Sequence, residues 1–223
     1  SLNCGIGSKD KKIKVKKNIN IVKSKIRTKS RQIFFVKQTH SNKFVFLSCN
    51  SIIKNRSVSA DAIICEKKRI PIAVLTADCV PILLYEKQKN MIAAIHAGWK
   101  GAFKGIIKNV INFMLKKGCK KENIISVIGP CISKKNYNVK EDFKKKFLKK
   151  DKKNKIFFSY RKNIIHFDLS NYVKSQLEFK KITNIDMKNI DTFVKKNNFF
   201  SARQALKSKL DDYGRNISII MIN

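Results

Sequence analysis

The chain has 223 residues, 43% of them hydrophobic and 9% aromatic, with fifty Lys and Arg against fifteen Asp and Glu. This composition excludes a disordered polymer, and the absence of any apolar run near the roughly 18 residues of a membrane span excludes a transmembrane helix. The formal charge of +35 suits a polyanion-binding surface, but the excess is nearly all lysine and is scattered from Lys9 to Lys209. With Asn and Ile also abundant, it reads as a coding bias rather than as specific nucleic-acid binding, and no zinc-finger spacing or RNA-binding aromatic signature accompanies it.

In chain order, a glycine-containing loop (Asn3 to Gly7) leads to a lysine-rich helix near Lys16–Lys25. "QIFFVKQTH" predicts a strand over Ile33–Lys37 ending at His40, and "KFVFLSC" another over Lys43–Cys49. "ADAIICEKKRIPIAVLTADCVPILLYE" supplies three short β-rich runs bounded by polar residues or proline. A turn at Lys87–Asn90 leads to the strand "MIAAIHA". After Gly98, the spacing of Phe103, Ile106, Ile107, Val110, Ile111 and Met114 predicts one helix, stopped at Lys116-Lys117-Gly118. "NIISVIGPCI" is a strand entering a Gly-Pro turn, and Lys140–Lys155 is a lysine-rich helix and loop. "IIHFDLSNYVKSQLEFK" is a strand running into a helix capped by Asp168 or Ser170. A short strand near Ile190, the segment "FFSAR" and a terminal strand "NISIIMI" complete the chain. No repeat or linker divides it. The expectation is an α+β (mixed α/β) fold, a single domain over 1–223 with a mixed β-sheet flanked by helices.

Chemistry concentrates between Ala77 and Gly101. Six cysteines are dispersed without CxxC pairs, which predicts free thiols in a cytoplasmic protein, and the lack of a leader pattern agrees with that compartment. Cys79 alone lies among other reactive types. His40, Cys79 and His96 fall at strand ends, are ligand types that zinc accepts together, and would leave a fourth position open. The competing reading is a buried filler cysteine with two ordinary histidines, and spacing alone leaves both open. Gly98, Gly101 and Gly105 lie between a strand and a helix, where backbone N–H groups favour an anion. Gly98, Lys100 and Gly101 are therefore candidate phosphate contacts, with close strand–helix packing an equal reading. Asp78 is a candidate general acid or base beside Cys79, although neighbours on a strand face opposite sides. Trp99 either stacks on a substrate ring or fills the core. His166 and Asp168 read as a strand end and a cap, and Cys131 lies in a turn that either lines the pocket or serves packing.

"VKQTH", "ADAII", "LTADCVPILL", "AAIHAGWKG", "IGPCI", "HFDL" and "FFSAR…YGR" together resemble the successive motifs of the YfiH/laccase-domain family, also called multicopper polyphenol oxidase-type or purine nucleoside phosphorylase-type proteins. The resemblance covers nearly the whole chain. The family's domain usually extends further at its N-terminus, so a trimmed start before Ser1 is expected. The resemblance implies zinc held by His40, Cys79 and His96, with copper the metal of older family labels. It implies phosphorolysis of adenosine, inosine and S-methyl-5′-thioadenosine to free base and ribose 1-phosphate, with adenosine deamination as a further activity. The expected partners are a purine nucleoside and phosphate, acting on a monomer or homodimer.

A single open zinc suits deamination, since it lowers the pKa of water to about 7, and suits phosphorolysis if a phosphate cradle stands beside it. Polyphenol oxidation needs several copper centres, and three histidines furnish at most one such site. Hydrolytic editing of peptidoglycan precursors competes with phosphorolysis among enzyme activities, and a basic RNA- or anion-binding role competes with catalysis itself. By resemblance alone Arg203 is a substrate or anion contact, grouped with Asp78 and Lys100 as catalytic candidates. Lys100 stands where the family often has Arg, keeping the charge and losing the bidentate fork. Asp191-Thr192 replaces the family's Cys-Thr, and Gln204 replaces a second arginine.

Overall fold

The computed structural model describes residues 2–30, 32–50 and 52–223; Ser1 lies outside them. Its strands are β1 (Phe44–Leu47), β2 (Ala62–Cys65), β3 (Ile72–Thr76), β4 (Val80–Glu86), β5 (Met91–Ala97), β6 (Ile124–Ile128), β7 (Asn138–Val139), β8 (Phe158–Arg161), β9 (Ile164–Phe167), β10 (Asn184–Met187) and β11 (Asn216–Ile220). The helices are α1 (Lys12–Lys25), α2 (Trp99–Lys104), α3 (Ile106–Lys116), α4 (Glu141–Lys150), α5 (Leu169–Phe179) and α6 (Ala202–Lys207).

The central sheet runs β1-β2-β5-β4-β6-β10. Its outer pairs β1–β2 and β6–β10 are parallel and its inner pairs antiparallel, the mixed sheet expected from the intermingled patterns. Alternation assigns each strand residue to one of two cores. Ala62, Ile64, Ile82 and Ile95 pack with Ile107 and Val110 of α3 and Val173 of α5. On the opposite face Ile63, Cys65, Ile92 and Ala94 meet Ile72 and Val74 of β3, which pairs antiparallel with β11. β5 is buried along its whole length, because layers cover both its faces. That explains its unbroken apolar run, and truncating a fully buried residue such as Ile95 costs about 2–5 kcal/mol. No helix among the described residues is long and apolar enough to cross a membrane.

Three boundaries differ from the sequence expectation. Ile33–Lys37 is extended but forms only isolated bridges, Phe34 to Ile72 and Lys37 to Ser59, so it is not a ladder strand. The helix after Gly98 is two helices. Gly105 adopts φ 87° and turns the chain between α2 and α3, a break that apolar spacing does not register because Phe103 and Ile106 still face one core. The strand expected near Ile190 lies earlier, at β10. Elsewhere the signals act as read: Gly118 closes α3 with φ 86°, and Asp168 caps α5 by accepting from the Asn171 N–H at 3.1 Å.

Candidate metal centre and active site

Strand register builds the centre. Ala62 of β2 pairs with Ile95 of β5, so one step beyond the ladder Asp61 faces His96, whose N–H donates to the Asp61 carbonyl at 2.8 Å. Across the other side of β5, Pro81 pairs with His96 and Val80 with Ala97. Cys79 therefore comes diagonal to His96 and opposite Gly98. Asp61, Cys79 and His96 share the parity of the Ile63 and Ile92 face, so one rim of the sheet collects them.

His40 reaches that rim from the loop before β1. The Gln38 amide clamps the loop to β3, donating to the Leu75 carbonyl at 2.7 Å and accepting from the Leu75 N–H at 2.8 Å. His40 then takes φ 57°, a left-handed conformation that a non-glycine residue holds only when its surroundings enforce it. The enforcing group is Asp61. Its fully buried carboxylate accepts from the N–H groups of Thr39, His40 and Ser41 at 3.1, 2.9 and 2.5 Å. It also takes the Ser41 hydroxyl at 2.7 Å and His96 Nδ1 at 2.8 Å. One carboxylate thus braces two of the three expected ligands.

The ligand atoms of His40, Cys79 and His96 lie within 4.8 Å of one another, and Cys79 Sγ is 3.8 Å from His40 Nε2. Ligand bonds of about 2.0–2.3 Å let one ion bridge the 3.8 Å pair directly, and the wider separations close as the ion draws the side chains in. The donor set fits a zinc-like ion in two respects. Asp61 occupies Nδ1 of His96 and leaves Nε2 for a metal, the carboxylate–histidine arrangement of metal sites. Burial alone would raise the Cys79 thiol, but the charge of His96 and the hydrogen bond with His40 reverse this and bring it down to about 6, a thiolate at neutral pH. Burial likewise opposes the His96 cation, yet Cys79 and Asp61 outweigh it and lift His96 to about 9, so a metal would displace the His96 proton as it binds. Asp61 itself, despite burial, is held at about 2 by the hydrogen bonds from His96 and Ser41.

The glycines make room for this cluster. A Cβ on Gly98 would lie 2.8 Å from His40 Cδ2 and 2.9 Å from Cys79 Sγ, and one on Gly101 would lie 2.8 Å from the Ser41 carbonyl. Both face the His40 loop and its ligands. Lys100 is exposed with its ammonium 5.7 Å from the Trp99 ring centroid. Trp99 packs against Phe143 with centroids 4.9 Å apart, which is the core-filling reading.

Two cavities meet at the cluster and share His40, Ala77, Cys79 and Tyr213 as their common wall. One, of about 230 Å³, is closed by Gly5, Gly7, Gln38, Arg56 and Arg215. The other, of about 220 Å³, is closed by Ile132, Tyr137, Leu169, Arg203 and Leu206, with Asp78 in its wall. Gly98, Lys100 and Gly101 line neither. Asp78 holds φ 82° and is buried. Its carboxylate accepts from the Thr192 hydroxyl at 2.7 Å and from the Arg203 N–H at 2.6 Å, tying the start of α6 to the turn that bears Cys79. The Arg203 guanidinium donates to both the carbonyl and the side chain of Asn138 and stacks 5.2 Å from the Tyr137 centroid. His166 Nδ1 lies 3.1 Å from the Lys134 carbonyl, and Cys131 is buried beside Asp191; neither lines the two cavities.

Sequence reasoning singled out the three residues that the fold brings together, and missed Asp61, Arg56, Arg215 and Tyr137. Asp61 carried a usable signal, a carboxylate leading into an apolar strand in "ADAII", since a charge entering a core must be partnered.

The family described as "Multi-copper polyphenol oxidoreductase laccase" matches residues 1–223. A purine nucleoside phosphorylase of Rickettsia conorii is 38% identical over 193 residues, 85% of this chain and 77% of that protein. A purine nucleoside phosphorylase of Bacteroides thetaiotaomicron is 30% identical over 236 residues, 100% of this chain and 85% of its own. Among solved structures, the hypothetical protein YfiH of Bacillus licheniformis superposes with a TM-score of 0.88 at 24% identity, covering 100% of this chain and 86% of that one. YlmD of Geobacillus stearothermophilus gives 0.85 at 19% identity, covering 100% and 85%.

Proposed function

Because the chain belongs to the multi-copper polyphenol oxidoreductase laccase family, in which relatives named purine nucleoside phosphorylase reach 38% identity, we propose that it is a zinc-dependent purine nucleoside phosphorylase. The observation that carries the reading is the placement of a His-Cys-His cluster where two cavities meet, His40 and Cys79 on their shared wall and His96 in the wall of the polar one. Such an arrangement suits a reaction that brings two substrates to one bond. In phosphorolysis of inosine the C1′–N9 bond breaks with its electron pair passing to N9. A hydrogenphosphate oxygen forms the new bond to C1′, and its proton ends on the released base.

His40, Cys79 and His96 are the residues that would hold the metal, and zinc would supply a Lewis acid between the cavities. The protein does the rest by positioning. Asp61 fixes the His96 tautomer and the His40 loop, and Tyr137, Ile132 and Leu169 offer an apolar slot for a planar heterocycle. Arg203 stiffens that slot through Asn138 and Tyr137. With both oxygens engaged, Asp78 serves in this reading as the anchor that aligns the two halves of the wall. Multicopper oxidation is disfavoured by the three histidines of the whole chain.

The test is incubation of the zinc-loaded protein with inosine, with and without phosphate. Hypoxanthine and ribose 1-phosphate are expected only when phosphate is present. Equal hypoxanthine without phosphate would make the reaction a hydrolysis and overturn the reading. Adenosine in the same assay, followed by ammonia release, reports deamination.

A further inference from the structure

The +35 charge contains a selection that the overall excess conceals. Of fifty cationic side chains only seven are arginine, so lysines outnumber arginines about six to one. Yet Arg56, Arg203 and Arg215 line the two cavities, and among the described residues no lysine does. Whatever bias fills the surface with lysine has not filled these walls. The chemical difference between the two cations is the planar fork of N–H donors, which matches the paired oxygens of a phosphate or carboxylate and which an ammonium lacks.

Arg203 and Arg215 each hold protein partners, Arg215 pairing with Asp212 and stacking 4.3 Å from the Tyr213 ring centroid, whereas Arg56 is, among the described residues, held by its backbone alone. Arg203 is already committed to Asn138 and Tyr137 within the apolar cavity. Arg56, in the polar cavity, has no ion pair among the described residues. Its backbone is nonetheless firmly held. It sits at φ 59° on a turn whose N–H donates to the Phe35 carbonyl at 3.0 Å. The preceding Asn55 side chain accepts from the Phe35 N–H at 2.8 Å and donates to the Ile33 carbonyl at 2.9 Å. Arg215 approaches from the other side. One of its nitrogens pairs with Asp212 at 2.9 Å, and its stem lies where a Cβ on Gly5 would be, 2.5 Å from Arg215 Cδ. Gly5 must therefore remain glycine for Arg215 to reach the cavity.

Resting on the phosphorolysis reading above, we propose that the cavity between Arg56 and Arg215 is the phosphate subsite, with the apolar cavity around Tyr137 taking the purine. The nucleoside's C1′ then lies at the shared wall of His40 and Cys79. This places the anion away from the glycine turn after His96, whose Gly98 and Gly101 are filled against His40, Cys79 and Ser41.

The experiment uses the zinc-loaded full chain and its Arg56→Ala, Arg56→Lys and Arg215→Lys variants, with Arg161→Lys as control. Arg161 is exposed on β8 and lines neither cavity. The KM for phosphate and for inosine is measured separately, with thermal melts to verify folding. Inorganic phosphate is also titrated calorimetrically into the protein without nucleoside. Arg56→Ala is expected to raise the phosphate KM and Kd at least tenfold and to leave the inosine KM within twofold. Arg56→Lys and Arg215→Lys are expected to give smaller rises in phosphate KM, because charge remains and the fork is lost; Arg161→Lys changes nothing. Unchanged phosphate KM and Kd in folded Arg56→Ala would overturn the assignment, as would a rise in the inosine KM alone. If the wild-type protein cleaves no nucleoside, the functional reading falls, and the phosphate titration decides the subsite by itself. Binding lost in Arg56→Ala supports it, and no binding to the wild-type protein refutes it.

Discussion

Replacing Asp61 by Asn tests the architecture of the centre at its most connected atom pair. Oδ1 accepts from His96 Nδ1 and the His40 N–H, and Oδ2 from the N–H and hydroxyl of Ser41. An asparagine side chain keeps one carbonyl oxygen and turns the other position into a donor, so in either orientation an NH₂ group confronts N–H groups inside a fully buried site. Charge-assisted bonds are worth about 1.5–3 kcal/mol each, and breaking a buried ionic network costs about 3–5 kcal/mol. Urea unfolding of metal-free Asp61→Asn at pH 7.5 is expected to show a loss in that range, a large part of a domain's usual 5–15 kcal/mol. Competition with a chromophoric chelator is expected to show zinc held about 10–100-fold more weakly, because the His96 tautomer and the His40 loop lose their common brace. The acid limb carries a sign. Asp61 is held at about 2 in the fold, below its ordinary value, so its contribution is complete above pH 4 and is lost as pH falls towards 2. This ionisation accounts for about 2 kcal/mol of the total, and the corresponding slope should be missing from the variant. An unfolding free energy within 0.5 kcal/mol of wild type at about the same zinc affinity would refute the bracing argument.

Gly98→Ala places a methyl against His40 and Cys79; zinc affinity measured by chelator competition is expected to fall at least tenfold in a folded protein, and an unaffected affinity would show that the ligands have room to move. In metal-free Cys49→Ser protein, iodoacetamide is expected to modify Cys79 with a rate midpoint near pH 6 and to spare Cys4, Cys65, Cys119 and Cys131, all raised to about 11 or 12 by burial; zinc should protect Cys79. Asp78→Asn can keep a bond to the Arg203 N–H and turn its amide to Thr192, so kcat is expected to stay within about tenfold. A fall of a thousandfold or more at an unchanged melting temperature would make Asp78 the general acid or base instead. Removing zinc should lower the melting temperature, since free metal at 100 times its Kd adds about 2.7 kcal/mol.

Local patterns carried much of this structure. The β4–β5 hairpin, the apolar face of α3, the cap at Asp168 and the stop at Gly118 are all written within a few neighbouring residues, and each forms where its pattern lies. The ligand types were legible for the same reason, since Cys79 and His96 end strands joined by one turn. Asp61 was not, because its role exists only after the β2–β5 register sets it opposite His96. The left-handed backbone at His40 and Asp78 is equally invisible, being imposed by partners from elsewhere in the chain. Arg56 and Arg215 are far apart in sequence and face one cavity only once the N-terminal loop and β11 are in place. Gly98 and Gly101 show the limit from the other side: a glycine-rich turn is consistent with both an anion cradle and tight packing, and only the neighbours of the missing Cβ distinguish them.

The division of labour along the chain has a consequence for synthesis. The ligands and their brace all fall within residues 40–96, on β2, β4, β5 and the loops beside them. Tyr137, Arg203, Tyr213 and Arg215 all lie in the second half. A ribosome therefore exposes every candidate metal ligand, and all of the polar cavity's wall but Tyr213 and Arg215, before it has made most of the apolar cavity. Metal capture and substrate recognition can accordingly be acquired in sequence, with the hairpin joining Cys79 to His96 the first part of the centre to close.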